Sequence, residues 1–318
     1  MMADMIGRSE ITCILQESKK DEEDTTKSLN GDQRKLDASE AEAVDSEYEP
    51  IPKKNYEPAG IIAPHGSPKK RLNIPDPKRD NVGKDKTLYK YGNYSRYYGY
   101  RNTKDFHDVR LNVFAQHKDL FVGMEILDIG CNVGLLTMSI AKEYSISHIT
   151  GLDIDKSLIN QAKKFIQRQR RNFTGIERSG YPFNVTFLHG NYVVRNAVLL
   201  EVKERQHFDL ILCLSVTKWI HLNFGDDGVK LAFKRMFKQL KTGGKLILEP
   251  QPWNSYKRRK KLTPEIAENF NAVRFYPKDF TEYLLSDAVG FSRMYELEKP
   301  THDVKGFQRP LQVFVKDG

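Results

Sequence analysis

From about Leu88 onward, short apolar runs alternate with stretches in which apolar residues return every three or four positions. MEILDIG predicts a buried strand, and LLTMSIAKEY after it has helical spacing. HITGLDID predicts a second strand, and KSLINQAKKFIQRQRRN a helix that starts beside Asp155, a capping-type residue. NVTFLHGNY and FDLILCLSV predict strands three and four, and GVKLAFKRMFKQLKTGG a helix stopped by its Gly-Gly pair. KLILEP predicts a fifth strand and PLQVFVK another. Strands alternating with helices predict an α/β domain, a mostly parallel, doubly wound sheet covered on both faces. Ligands of such sheets bind at the carboxyl ends of the strands.

Upstream of Leu88 this patterning is missing, and the charge changes sign. Residues 1–50 hold 14 acidic and 6 basic side chains, a net of −8, which leaves +17 on the remainder of a chain whose total is +9. So acidic and apolar-poor a segment cannot offset its chain entropy, and a disordered tail is expected there. Residues 51–87 are rich in Pro and Lys and predict a basic linker, with a PKKR cluster like a nuclear-import signal. The folded domain is expected over 88–318. A basic body points to a polyanionic partner, with nucleic acid the common one. No run approaches eighteen apolar residues and no secretion-type leader is seen, so an intracellular protein without membrane contact is expected. Cys13, Cys131 and Cys213 are too few and scattered for a disulfide framework or a zinc site.

The chemistry begins in LDIGCNVG, which places Gly130 and Gly134 in the turn between the first strand and the first helix. Glycines there let backbone approach a ligand beside the unpaired N–H groups of the helix start. The dinucleotide fingerprint requires Gly at its first, third and sixth positions, where this chain has Gly130, Asn132 and Leu135. That excludes a standard nicotinamide or flavin site. The loop resembles the first motif of class I S-adenosylmethionine methyltransferases, carried here by Asp128, Gly130 and Gly134. Asp153, at the end of the second strand, is placed to accept both ribose hydroxyls of a nucleoside.

The segment after strand four, LCLSVTKWIHLNFGDDG, belongs beside the reacting methyl, and Lys218 and His221 are spaced to share a helical face. It contains no Asn-Pro-Pro-Tyr-type clamp for an amine. A carbon or hydroxyl acceptor needs a base, whereas a terminal phosphate is already anionic near neutral pH, and cations that aim its oxygen suffice. Together YGNYSRYYGYRN (Tyr91 to Asn102), LDIGCNVG, GLDID, GNY, LSVTKWIHLN, LEPQPW and GFQRP resemble the methylphosphate capping enzymes, RNA methyltransferases whose best-known member caps 7SK small nuclear RNA. The resemblance spans about Leu88 to Lys316 and implies a Rossmann-like methyltransferase fold.

It also implies methyl transfer from S-adenosylmethionine to the γ-phosphate at an RNA 5′ end, without a metal, in a nuclear protein. Carried over by position, it implies cofactor contacts from Tyr98, Arg110, Gly130, Cys131, Asn132, Asp153, Ile154, Asn191, Tyr192 and Leu214. Tyr97 and Lys218 are the leading candidates for gripping a 5′-triphosphate, with His221 and Arg101 as further candidates. Phe224 stands where the family pattern has tryptophan and keeps an aromatic plane. A monomer, associated with ribonucleoprotein partners, is expected. Rival readings are a 5′-monophosphate RNA methyltransferase and a non-catalytic ribonucleoprotein subunit that shields the RNA end. YKRRKK, from Tyr256 to Lys261, is a candidate phosphate-tracking strip, and QRQRRN at Gln167 to Asn172 reads as solvated surface.

Overall fold

The computed structural model describes residues 89–94, 107–176, 178–301 and 308–318. The expectations for the 1–50 tail, the 51–87 linker, Tyr97, Tyr98 and Arg101 lie outside these residues. In chain order the elements are α1 (Arg110–Phe114), β1 (Glu125–Ile129), α2 (Leu135–Glu143), β2 (His148–Asp153), α3 (Lys156–Arg171), β3 (Val185–His189), α4 (Val198–Lys203) and β4 (Phe208–Leu214). They continue with α5 (Thr217–Gln239), β5 (Leu240–Glu249), α6 (Trp253–Lys257), α7 (Pro264–Ala272), α8 (Phe280–Leu285), β6 (Arg293–Leu297) and β7 (Leu311–Val315). The sheet runs β3-β2-β1-β4-β5-β7-β6, with the first five strands parallel and β7 antiparallel to both neighbours.

Central parallel strands are covered on both faces, which explains why β2 buries all six of its residues. On one face, Leu111, Phe114, Ile140, Ile159 and Ile166 pack on the sheet; on the other, Val229, Phe233, Met236, Phe280 and Phe291 do so. In α3 the buried residues Leu158, Ile159, Ala162 and Ile166 make one stripe, and each large aliphatic side chain contributes roughly 2 kcal/mol by leaving water. Asp155 starts that helix as expected, its carboxylate accepting from the backbone N–H groups of Ser157 and Leu158.

Two boundaries differ from the expectation. The helix predicted from Gly228 is the second of two helical segments within Thr217–Gln239, which meet at a break at Gly225, whose φ of 65° and ψ of −168° are non-helical. It ends at Gln239, so Gly243 and Gly244 are not its cap. They lie in a bulge of β5, between the Phe208 and Leu210 registers, where Gly243 N–H donates to Lys316 O and Lys316 N–H to Gly244 O. Strand β6 carried no readable signal because it is an edge strand, largely exposed apart from Leu297 and the half-buried Met294.

Candidate functional site

The carboxyl ends of β1, β2 and β4 open into a cleft of about 910 Å³, counted with its open mouth. The turn after β1 forms its floor. Gly130 and Gly134 both have φ of +75°; a Cβ on Gly130 would stand 2.7 Å from Val216, and one on Gly134 2.4 Å from Phe187. Asn132 also has positive φ, 56°. Its strain is held by Asp153, whose Oδ2 accepts from Asn132 N–H at 2.8 Å while Oδ1 accepts from Asp155 N–H at 2.9 Å. Burial raises the Asp153 pKa, and these backbone donors oppose the rise. Asp128 lies deeper, taking a 2.6 Å hydrogen bond from the Thr137 hydroxyl, and burial lifts its pKa to about 6.

Eight of the expected cofactor residues line this cleft: Arg110, Gly130, Asn132, Asp153, Ile154, Asn191, Tyr192 and Leu214. Cys131 does not. Its side chain is 1 % exposed and turned into the core, and an added Cβ on Gly151 would be 3.0 Å from its sulfur, so only its backbone faces the loop. Tyr192 lines the cleft while its hydroxyl donates to Gln239 Oε1 at 2.9 Å. These residues fit S-adenosylmethionine: a floor with no room for Cβ atoms, an acid at the ribose position and a guanidinium at the far wall.

That wall is a charge network the sequence reading did not anticipate. Arg110 donates twice to Asp108, at 2.9 and 2.7 Å, and once to Glu249, at 3.1 Å. Glu249, fully buried at the end of β5, is also paired with Arg309 at 3.3 Å and accepts from the Ser215 hydroxyl at 2.5 Å. Ser215 carries a φ of 62° at the exit of β4 and lines the cleft. Its carbonyl is held by Gln251, whose Oε1 in turn accepts from Thr217 Oγ1 and from Lys218 N–H at 2.9 and 3.0 Å. Gln251 therefore caps a helix whose own N-cap, Val216, has no side-chain oxygen, and it fixes where Lys218 stands.

Lys218 is half-buried, with Nζ 4.6 Å from the centre of the Trp219 ring. Burial, then Arg259, Arg309 and Arg258, lower its pKa from 10.5 to about 8. It does not line the cleft itself; Trp219, Ile220 and Phe224 do. His221 is placed differently from a group that meets substrate. It is fully buried, Nε2 donates to Asp226 Oδ1 at 2.7 Å, and Nδ1 lies 3.4 Å from the Tyr256 hydroxyl. Asp226 also accepts from the backbone N–H groups of Arg274 and Phe275, so the pair ties across the Gly225 break. Burial lowers the His221 pKa, and the ring is neutral at pH 7.

The described start of the tyrosine-rich stretch straps the cleft: Tyr91, Gly92 and Asn93 line it. Asn93 donates to Asp155 at 2.5 Å, Asn223 to the Lys90 carbonyl at 2.9 Å, and Asn132 to the Tyr94 carbonyl at 3.4 Å. Gly92, with φ of +73°, lies so close on Trp219 that a Cβ would be 2.1 Å from the ring. Gly92→Ala is expected to lift the strap and weaken cofactor binding about tenfold, roughly the loss of one good hydrogen bond, read as the dissociation constant of S-adenosylhomocysteine by calorimetry.

The chain was compared with known proteins. Residues 127–246 match a methyltransferase domain model, and residues 208–316 match the Bicoid-interacting protein 3 (Bin3) model. A Drosophila melanogaster protein named U6 snRNA methylphosphate capping enzyme Amus is 52% identical over 254 residues, covering 80% of this chain and 82% of that one. The chain belongs to the methylphosphate capping enzymes. The human 7SK snRNA methylphosphate capping enzyme is 39% identical over 281 residues, 73% of this chain but 40% of the longer human protein. A bovine RNA 5′-monophosphate methyltransferase is more distant, 29% identical over 41% of this chain and 46% of its own length. This capping enzyme is thus an S-adenosylmethionine-dependent RNA methyltransferase of Rossmann-like fold. The cofactor would supply the methyl as a sulfonium-bound electrophile, and the wall, the floor and the strap are the groups that would hold it.

Proposed function

We propose that this capping enzyme methylates the 5′-terminal γ-phosphate of a small nuclear RNA, U6 and 7SK being the RNAs in its relatives' names. The observation that carries the reading is Lys218, packed on the cleft-lining Trp219, its pKa depressed by burial and by three arginines. Cations that raise one another's energy in this way form a site that a polyanion relieves, and a triphosphate carries more charge to do so than a monophosphate. The phosphate oxygen brings its own negative charge, so no side chain has to remove a proton. Lys218 and the arginines aim the oxygen, with Tyr97 and Arg101 proposed to grip the same end. The proposal extends to a monomer working in the nucleus, inside a ribonucleoprotein, in keeping with the PKKR cluster of the linker.

Cofactor carrying a labelled methyl group, offered with RNAs alike except for a 5′-triphosphate, a 5′-monophosphate or a 5′-hydroxyl, tests the reading. Label is expected on the triphosphate alone; preference for the monophosphate sinks it in favour of the monophosphate enzymes.

His221 enters this scheme as a positioning residue, one turn along from Lys218. His221→Gln is expected to cost about 1–3 kcal/mol of stability through the orphaned Asp226 contact. It should also lower kcat more than it raises KM for RNA. A fall in KM-dependent binding alone, with kcat intact, would place the histidine at the substrate instead.

A further inference from the structure

We infer that the outer face of α3 is a second RNA-binding surface, one that holds the body of the RNA whose 5′ end lies in the cleft. From Lys156 to Asn184 the chain carries seven cations and a single acidic residue, Glu177, a net of +6 within a chain whose total is +9. Lys163, Lys164, Arg168 and Arg171 are all exposed, and among the described residues none of them makes an ion pair. Other surface cations do: Lys238 with Glu201, Lys241 with Asp209 and Arg293 with Asp317.

Ordinary helix chemistry does not account for the cluster. Cations in a last turn suit the helix dipole, but that effect fades within one turn, and Lys163 and Lys164 lie two turns from the end of α3. Lys164, Arg168 and Arg171 follow at i, i+4 and i+7 and so share one edge of the helix, where like charges repel. A solvated helix relieves such spacing with an acid; this one has none between Lys156 and Arg171.

Position and shape favour RNA. α3 starts three residues beyond Asp153 and runs back along β2, so its axis leads from the ribose end of the cleft to the amino-terminal edge of the sheet about 24 Å away. Lys164 to Arg171 spans about 10 Å, the reach of two to three backbone phosphates. Phe165 stands among them, 43 % exposed, as a stacking plane for an unpaired base. Arg178 extends the patch beyond the helix, its guanidinium 5.5 Å from the centre of the Phe183 ring. RNA bound by its 5′ end in the cleft has to leave across one face of the domain, and this face, which starts beside the cleft, is charged to receive it.

This inference rests on the chain binding RNA, and not on which phosphate it methylates. The test is therefore binding, measured by fluorescence anisotropy with S-adenosylhomocysteine present. The probes are a structured small nuclear RNA and a five-nucleotide oligonucleotide, both 5′-triphosphorylated. The variant is Lys164→Gln with Arg168→Gln and Arg171→Gln. The structured RNA is expected to bind about tenfold or more weakly, with its salt dependence shallower by about 2–3 in log–log slope. Oligonucleotide binding and the thermal midpoint stay as in the parent.

If structured-RNA affinity is unchanged, or if both RNAs weaken equally, the inference fails. It also fails if the variant loses affinity only for phosphatidylserine vesicles or for a polyglutamate peptide, which would give the face to a membrane or an acidic protein. Failure of the oligonucleotide to be methylated would count against the γ-phosphate reading and leave the binding comparison intact.

Discussion

Replacing Lys218 with alanine is expected to lower kcat/KM for triphosphorylated RNA by about 10²- to 10³-fold, the usual cost of one preorganised electrostatic donor, while leaving the affinity for S-adenosylhomocysteine unchanged. The pH dependence makes the expectation sharper. In the free protein the ammonium titrates near 8, because burial and three arginines disfavour its charge. As pH rises through that value the free enzyme loses a cation, so kcat/KM declines. Bound phosphates oppose the arginines and return the lysine toward its ordinary range, so kcat at saturating RNA holds to higher pH. Lys218→Arg keeps its charge throughout and removes the decline near pH 8. Identical pH profiles for the parent enzyme and Lys218→Arg would show that some other group titrates.

The second large effect is expected from Glu249→Gln, at the far wall. Glu249 is fully buried between Arg110 and Arg309 and takes the Ser215 hydroxyl as well. The amide keeps the shape but removes the charge that both guanidiniums face. Breaking one side of a buried ion pair costs roughly 3–5 kcal/mol; the lower end applies here, since Asp108 still holds Arg110 by two hydrogen bonds. Chemical denaturation followed by tryptophan fluorescence measures it, and a loss below about 1 kcal/mol would mean that the network contributes specificity and not stability. Cofactor affinity falls in the same variant, because Arg110 and Ser215 both line the cleft.

The parallel strands and the glycine loop were legible in the sequence because each has a local physical cause. β1, β2 and β4 are buried on both faces, so they appear as unbroken apolar runs. The loop glycines are required where a side chain would collide. Asp153 could be assigned from its place at a strand end. The wall could not, because Asp108, Glu249 and Arg309 are far apart in the chain and meet only through the sheet order. The helical segment before Gly225 was not legible as part of the same run, because Gly225 breaks the helix and it takes Asp226, bonded to His221 and to the backbone of Arg274 and Phe275, to tie the two segments together. His221 shows what the motif could not tell, since the histidine of KWIHLN is fully buried and bonded to Asp226.

Strand β7 lies between β5 and β6 although it comes last among the described strands. On a ribosome, a chain that has emerged only as far as β6 has an open edge at β5 and a strand with no neighbour to pair with. Arg309 arrives two residues ahead of β7, so the buried charge of Glu249 also waits for the insertion of that strand. Synthesis and activation are thereby linked: incomplete chains hold a β5 edge that invites aggregation and chaperone capture. The sheet is joined and the wall completed when β7 follows β6 out of the exit tunnel.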